Sequence, residues 1–400
     1  MKKRAKYGLS LFCLLLCWQE RAHAEGSRIV INPKILTGTE YSTNFWKAED
    51  NAIAVSTYYV KPGLSLGYET AKSKVEAELS VDGYWYDDHG TRQSGTRNSA
   101  DDNYLGFTGA GTFSHQTTDR LKLGIDDSIL FTRNPASADP LSNSVSREKF
   151  TTNRLTPNLF YDFGNKFSAE VRYRNTLIAY AENLGGEDSS EHRALAYLTY
   201  YLNRSAAVYL NYQVWQRDYD ATTFEYISNQ VTLNYSHSFN FFTFAGGAGY
   251  HIRTFEGSGS EDIDMFTWDL SVKGEEKASG KKSRYSMLAS IGQSINDEGS
   301  GEQYYITTNA RLEGKYLFLG KIGTGARIEY QNSEYQNDPK NREDDTLTTA
   351  AKLTYSPVDS LTFGLEAGVK DRDSSIDGNS YDDEFVIATI DFNYILGSKN

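Results

Sequence analysis

The sequence predicts an all-β protein, a transmembrane antiparallel up-and-down β-barrel of about 18 strands within a range of 16–20. Three observations predict it. Apolar and polar residues alternate along most of the chain, its connections alternate between short and long, and the first residues read as an export leader. The alternation is plainest near the end. Val386, Ala388, Ile390, Phe392 and Tyr394 fall on one side of a strand, and Ile387, Thr389, Asp391 and Asn393 on the other. Leu361, Phe363, Leu365, Ala367 and Val369 repeat the pattern against Thr362, Gly364, Glu366, Gly368 and Lys370. Side chains of a strand point alternately to opposite faces, so each such stretch has one apolar and one wet face. Many long strands of this kind need lipid on one side and a watery lumen on the other.

The leader comes first. Lys2, Lys3, Arg4 and Lys6 precede an apolar core from Gly8 to Trp18, and Ala22-His23-Ala24 is an A-x-A cleavage site. Residues 1–24 are therefore expected to be a cleaved signal peptide and 25–400 a single barrel domain. Cys13 and Cys17 both lie in the leader, so the mature chain is expected to hold no thiol, disulfide or Cys-based metal site. The whole chain has 41 basic and 53 acidic residues; the leader carries five basic residues (Lys2, Lys3, Arg4, Lys6, Arg21) and one acid (Glu20), which leaves a mature net charge near −16. So acidic a chain is a poor partner for nucleic acid. No apolar run in the expected mature chain is long enough for a membrane helix.

Strands are expected over Arg28–Tyr41, Ala52–Glu69, Lys74–Tyr86, Asn103–His115, Arg120–Thr132, Phe150–Phe163, Phe167–Tyr180, Glu191–Leu202 and Ser205–Arg217. The second half gives Phe224–His237, Phe242–Thr254, Met265–Gly274, Arg284–Ser294, Tyr304–Tyr316, Lys321–Gln331, Thr346–Tyr355, Leu361–Lys370 and Glu384–Leu396. Short connections include Gly164-Asn165-Lys166, Asn203-Arg204 and Pro357-Val358-Asp359. Long ones are 87–102, 133–149, 181–190, 255–264, 332–345 and 371–383, and they are polar and acidic. Short periplasmic turns and long acidic outer loops would place both termini in the periplasm. Pro33, Pro62 and Pro157 fall inside strands and are expected to mark bulges or strand starts, because proline cannot donate to a ladder.

If the apolar residues meet lipid, their neighbours line the lumen. That set is Glu76, Glu78 and Asp82; Glu170, Arg172 and Arg174; Asp269 and Lys273; Arg311, Glu313 and Lys315; Arg327 and Glu329; and Lys352, Glu366 and Lys370. So many charges of both signs need water or partners. Arg172 and Arg174 are expected to pair with acids on neighbouring strands. Tyr84, Tyr86, Tyr209 and Trp215 would also point inward, and are expected near a rim, in the aromatic girdle. The stretch Arg133–Lys149 is short for an inward-folded constriction loop and is expected to stay outside. Asp371, Asp373 and Asp377-Gly378 are expected to form a solvated acidic loop. The five histidines after the leader show no metalloprotease spacing, and no nucleophile elbow or haem-attachment motif is present. The expectation is a protein that is not an enzyme, with no cofactor and no metal.

The chain resembles the β-barrel porin 2 family. The resemblance rests on Ile31-Asn32-Pro33-Lys34-Ile35 leading to Glu40-Tyr41-Ser42-Thr43-Asn44, and on Arg154-Leu155-Thr156-Pro157. It rests also on Glu170-Val171-Arg172-Tyr173 and on Glu191-His192-Arg193 leading into Tyr197-Leu198-Thr199-Tyr200. It implies an outer-membrane channel for export of an extracellular polysaccharide. The alternatives are a general or substrate-selective diffusion porin and a structural barrel that sheathes or scaffolds a partner. Expected partners are outer-membrane lipid and lipopolysaccharide, the barrel-assembly machinery, and periplasmic polysaccharide-export proteins.

Overall fold

The computed structural model describes residues 27–89, 98–134, 147–181, 186–220, 225–256, 261–276, 284–297, 304–336 and 338–396. The leader and both cysteines lie outside the described residues. Eighteen strands form one closed antiparallel sheet, each bonded to its neighbours in sequence, and β1 pairs with both β2 and β18. In order they are β1 Arg28–Ser42, β2 Ala54–Glu69, β3 Ser73–His89, β4 Tyr104–Gln116, β5 Leu121–Thr132 and β6 Phe150–Gly164. Next come β7 Phe167–Tyr180, β8 Ser189–Tyr201, β9 Ala206–Tyr219, β10 Tyr226–Ser238, β11 Phe242–Phe255 and β12 Ile263–Glu275. The last six are β13 Arg284–Asp297, β14 Tyr304–Phe318, β15 Ile322–Gln336, β16 Glu343–Val358, β17 Leu361–Ser374 and β18 Tyr381–Asn393. Closure gives every strand two bonded neighbours, which is how strands become stable in lipid.

The alternation sorts the two faces. Ile29, Ile31, Ile35, Leu64, Leu66, Val171, Leu312, Ile328, Leu365 and Ile390 are all exposed on the outer face. The residues between them point inward and are half-buried or buried. At one end of the barrel the connections are tight. Gly164 and Asn165 have φ of 80° and 57°, left-handed conformations that let the chain reverse within the two residues between β6 and β7. Leu319 and Gly320, at φ 50° and 69°, reverse the chain between β14 and β15 in the same way. The other end carries the long connections.

Several expectations need correction. Strands at the loop end run further than their apolar pattern. The acids Asp382, Asp383 and Glu384 belong to β18, and Asp371 and Asp373 to β17, so neither group is loop. These acids continue the hydrogen-bonded ladder beyond the apolar band. Pro33, Pro62 and Pro157 mark no bulge. Pairing of β2 with β3 stops at Val60↔Gly83 and resumes at Gly63↔Ser80 in the same register. Around Pro157 the β6–β7 ladder likewise skips from Leu155↔Asn175 to Asn158↔Arg172. Each proline costs a rung on one side, and register is held by the flanking rungs. The irregularities that do shift register lie at the tight turns, at Asp162/Gly164 and Tyr355/Val358. The chain closes past β18, where Leu396 and Ile31 exchange two backbone hydrogen bonds of 2.8 and 2.7 Å.

Candidate functional site

The strand register puts all sixteen candidate residues on the inner face of the barrel. Arg311 stands opposite Glu329 and Glu313 opposite Arg327, while Lys352 stands opposite Glu366. At the turn end all of these side chains but Glu329 border a recess of about 600 Å³. Its walls are ion-paired: Arg311–Glu313 at 2.5 Å, Arg327–Glu366 at 3.6 Å, Lys352–Glu366 at 3.5 Å, with Lys315 also on Glu313. A second recess of about 490 Å³ lies by β1–β4, where Lys74 meets Glu76 at 2.8 Å and Lys34 bonds Glu78. Asp82 accepts from Ser80 and stands 3.9 Å from Lys61. Lys273 pairs with Glu275 at 3.7 Å on its own strand; Asp269 stands opposite Gly247 and Gly292, and Lys370 opposite Thr348 and Asp383.

Arg172 and Arg174 behave differently from the expectation. Arg172 pairs with Glu170 on its own strand, at 2.7 and 3.0 Å, because residues two apart on a strand share a face. Arg174 stands opposite another cation, Arg193.

The loop end carries side chains packed into the lumen, and its contributors were largely missed from sequence. The connection between β1 and β2 turns into the lumen. Phe45 is 2% exposed and packs against the inward-facing Val55, Tyr86 and Tyr104. Asp383 of β18 holds this segment by accepting from the Ser42 hydroxyl at 2.7 Å and the Asn44 amide at 3.1 Å, and by pairing with Lys47. The Asn44 side chain ties the turn together through Ala48 and the Asp382 carbonyl. Burial lowers the Lys47 pKa, and Asp383 pulls it partly back.

The described ends of the 133–149 stretch also face inward, against expectation. The Arg147 guanidinium lies 3.4 Å over the Phe45 ring. Arg133 pairs with Asp102 at 2.9 Å, and both are essentially fully buried. Arg133 also donates to the Arg147 carbonyl at 2.6 Å, so the two ends of the loop are clamped together. Burial lowers the Arg147 pKa. Residues 135–146 lie outside the described residues.

Across the lumen, Trp215, Tyr219, Tyr226, Phe255, Ile263 and Tyr304 form a second packed cluster. Arg193 stacks 4.2 Å over Trp215 and binds Glu191 through two hydrogen bonds of 3.0 Å. Arg253 stacks 3.9 Å over Tyr226. A third group centres on the fully buried Asp344, bonded to Arg342, Ser374 and Tyr335. Tyr84, Tyr86, Tyr209 and Trp215 are therefore inner-face residues. Tyr84, Tyr86 and Trp215 belong to these packed layers and not to a lipid-facing girdle. Two signals could have found this end: Phe45-Trp46 inside a polar connection, and the recurring acid- or aromatic-x-Arg steps Glu191/Arg193, Trp215/Arg217 and His251/Arg253.

This architecture has counterparts among solved structures. The crystal structure of Pseudomonas aeruginosa OpdK with vanillate superposes with a TM-score of 0.51 at 11% identity, covering 91% of this chain and 99% of that one. A second crystal structure of the outer membrane protein OpdK from the same organism gives 0.50, again at 11% identity and 91% and 99% coverage. The likeness shows the fold, a β-barrel shared with that outer membrane protein. No family model and no curated protein matches the sequence. The shared ground is thus the barrel fold, and no family match carries the narrower β-barrel porin 2 assignment.

Proposed function

We propose that this chain is an integral outer-membrane channel for diffusion of small solutes, general or substrate-selective, with no catalytic role. One observation carries the reading: a closed 18-stranded barrel has a charged inner face whose loop end is narrowed by its own side chains. Eighteen strands alone would give a bore wide enough for water and solutes. The Phe45, Arg147 and Trp215 layers pack into that bore from opposite walls and narrow it with apolar and cationic side chains. Such a wall can select by size and charge. The sixteen inner-face charges are the candidate lining. The tight turns face the periplasm, with both termini, and the long acidic connections face outward beside lipopolysaccharide. The barrel-assembly machinery inserts it.

Export of a polysaccharide, which the family resemblance implied, takes second place. A polymer needs a passage open along its whole length, and the packed loop end argues for solutes that pass one at a time. The likeness to OpdK, crystallised with vanillate, supports the same choice. The test is single-channel conductance of the refolded protein in planar bilayers, with acidic and neutral polysaccharide added, beside swelling of proteoliposomes in small sugars and organic acids. Small steps, size-limited swelling and indifference to polymer are expected. Block by polysaccharide without small-solute flux would return the export reading.

A further inference from the structure

The barrel wall is incomplete on one side. β12 and β13 pair over eight positions only, from Trp268↔Gln293 to Glu275↔Ser286, the shortest ladder among the described strands. Beyond Trp268, β12 continues to Ile263 bonded only to β11, and β13 continues to Asp297 bonded only to β14. An open sheet edge facing hydrocarbon is costly, because unpaired backbone groups find no water there. Such an edge is tolerated where it borders a cavity.

The reason for the gap is visible in two side chains. Ile295 and Tyr304 share the outer face, by alternation, with the exposed Ile291 and Leu312. Yet Tyr304 is fully buried, 5.6 Å from the Tyr226 ring and 4.9 Å from Phe255, both on the inner face. Ile295 packs on the same cluster. The loop end of the β13–β14 hairpin has therefore swung into the lumen and left a seam beside β12.

Beside the freed end of β13 lies a recess of about 330 Å³, bordered by Ser294 and Ile295 of that strand and by Arg193, Trp215, His251 and Arg253 of β8, β9 and β11. The last three are 5%, 3% and 2% exposed, and the Trp215 Nε1, His251 Nε2 and Arg253 Nη1 atoms are buried without a hydrogen-bond partner. Leaving such groups unsatisfied costs about 1–3 kcal/mol each. Arg193 is neutralised by Glu191. Arg253 is held in place by its Tyr226 stack and by donating Nε–H to the Ser228 hydroxyl at 3.0 Å, which leaves Nη1 for another acceptor. Outside the seam, Phe266 is 58% exposed and offers apolar surface.

We infer that the β12–β13 seam is a side portal between membrane and lumen for an amphipathic anion, whose oxyanion head docks on Arg253, His251 and Trp215 while its alkyl chain passes Ile295 and Phe266. This rests on reading the chain as an outer-membrane channel. Carboxylate, phosphate and sulfate heads share the required acceptor chemistry. A neutral amphiphile lacks the charge to offset burial of Arg253.

The test uses mature protein refolded in phospholipid vesicles, with Trp46, Trp85 and Trp268 replaced by Phe so that Trp215 is the fluorophore. Dibromostearate should quench Trp215, dibromo-phosphatidylcholine should not, and an alkyl sulfate and an alkyl phosphate should compete with the fatty acid. By register Thr267 and Ser294 would form the next rung above Trp268 and Gln293, so T267C/S294C oxidised to a disulfide should abolish quenching and reduction should restore it. Arg253→Ala should weaken the fatty acid by roughly tenfold or more. Absence of quenching, equal quenching after cross-linking, or quenching indifferent to Arg253→Ala would each overturn the portal. Arabinose-driven swelling of the same vesicles reads the small-solute channel separately, so the two readings fail independently.

Discussion

Asp383 is the residue on which the narrow end depends most directly. Its carboxylate accepts from Ser42 and the Asn44 amide and pairs with Lys47, so one side chain holds both the start and the middle of the 43–53 segment. Asp383→Ala removes all three contacts at once. A hydrogen bond to a charged group contributes about 1.5–3 kcal/mol, and removing one partner of a buried ion pair costs about 3–5 kcal/mol. Part is recovered because the segment sits at the loop end and can reach water when it leaves. A net loss of about 3 kcal/mol in docking raises the undocked population on the order of 100-fold. The barrel itself should persist, since its ladders do not pass through this contact. Trypsin reports the change, because Lys47 lies within the docked segment and cleavage follows the open population when opening is fast. Asp383→Ala should be cut at Lys47 on the order of 100-fold faster than the parent. The same variant should give larger and noisier conductance steps with unchanged heat-modifiable migration on gels. Cleavage and conductance equal to the parent would refute the assignment of the segment as a constriction.

Other outcomes follow from the same geometry. The Lys47 pKa is lower in the docked state than in a free side chain, so docking disfavours its protonation. Docking should therefore gain stability as pH rises through the lowered value toward the free-lysine value of about 10.4, and the narrow conductance should hold as pH is raised to that point; steps that widen over that rise would contradict it. Ending the chain after Leu396 keeps the two hydrogen bonds to Ile31 and should leave membrane insertion intact, measured by heat-modifiable barrel on gels. Loss of the barrel on that truncation would assign the last four residues a role in assembly. Leu365→Arg places a cation on the outer face midway along β17 and should cost about 2–4 kcal/mol in urea-dependent folding into vesicles, whereas Thr362→Arg, on the inner face, should cost less than about 1 kcal/mol.

The strand count, the antiparallel order and the choice of inner face were legible in the sequence because all three follow from a side-chain period of two. A strand that reads apolar at Val386, Ala388 and Ile390 has one orientation in a barrel, whatever its neighbours do. The constriction was not legible for the opposite reason. Phe45 and Arg147 come from connections 102 residues apart and meet only because the closed barrel brings their ends together. Ile295 and Tyr304 show the limit of the pattern itself. Alternation assigns them outward, and they point into the lumen because the hairpin that carries them has left the plane of the wall. The acids at the loop ends of β17 and β18 misled in another way. Asp371, Asp373, Asp382 and Glu384 are polar on a face that is apolar lower down, and the ladder simply continues past the apolar band.

The inner-face charges share a device that bears on selectivity. Glu170 pairs with Arg172 at 2.7 Å, Glu191 with Arg193 at 3.0 Å and Arg311 with Glu313 at 2.5 Å, each two residues apart on one strand, and Arg342, just before β16, pairs with Asp344 at 2.7 Å in the same way. These pairs need no correct neighbour, so a strand can neutralise its inner face before the barrel closes. They also cancel most of the field that the charges would place across the lumen, which leaves the exceptions to set ion preference. At Glu313 one carboxylate serves two cations, Arg311 and Lys315. Glu313→Gln therefore uncovers Lys315 and leaves Arg311 only its longer pairing with Glu329 at 4.0 Å, while Glu366→Gln uncovers Arg327 and Lys352, each more than 3 Å from its carboxylate already. Both substitutions change the wall by one unit, but the tighter pairing at Glu313 predicts the larger shift of reversal potential toward anion preference in a salt gradient, and the larger loss of that shift in 1 M salt, where the screening length is about 3 Å. Equal shifts for the two variants would mean that net wall charge, and not the local pairing along each strand, governs ion passage.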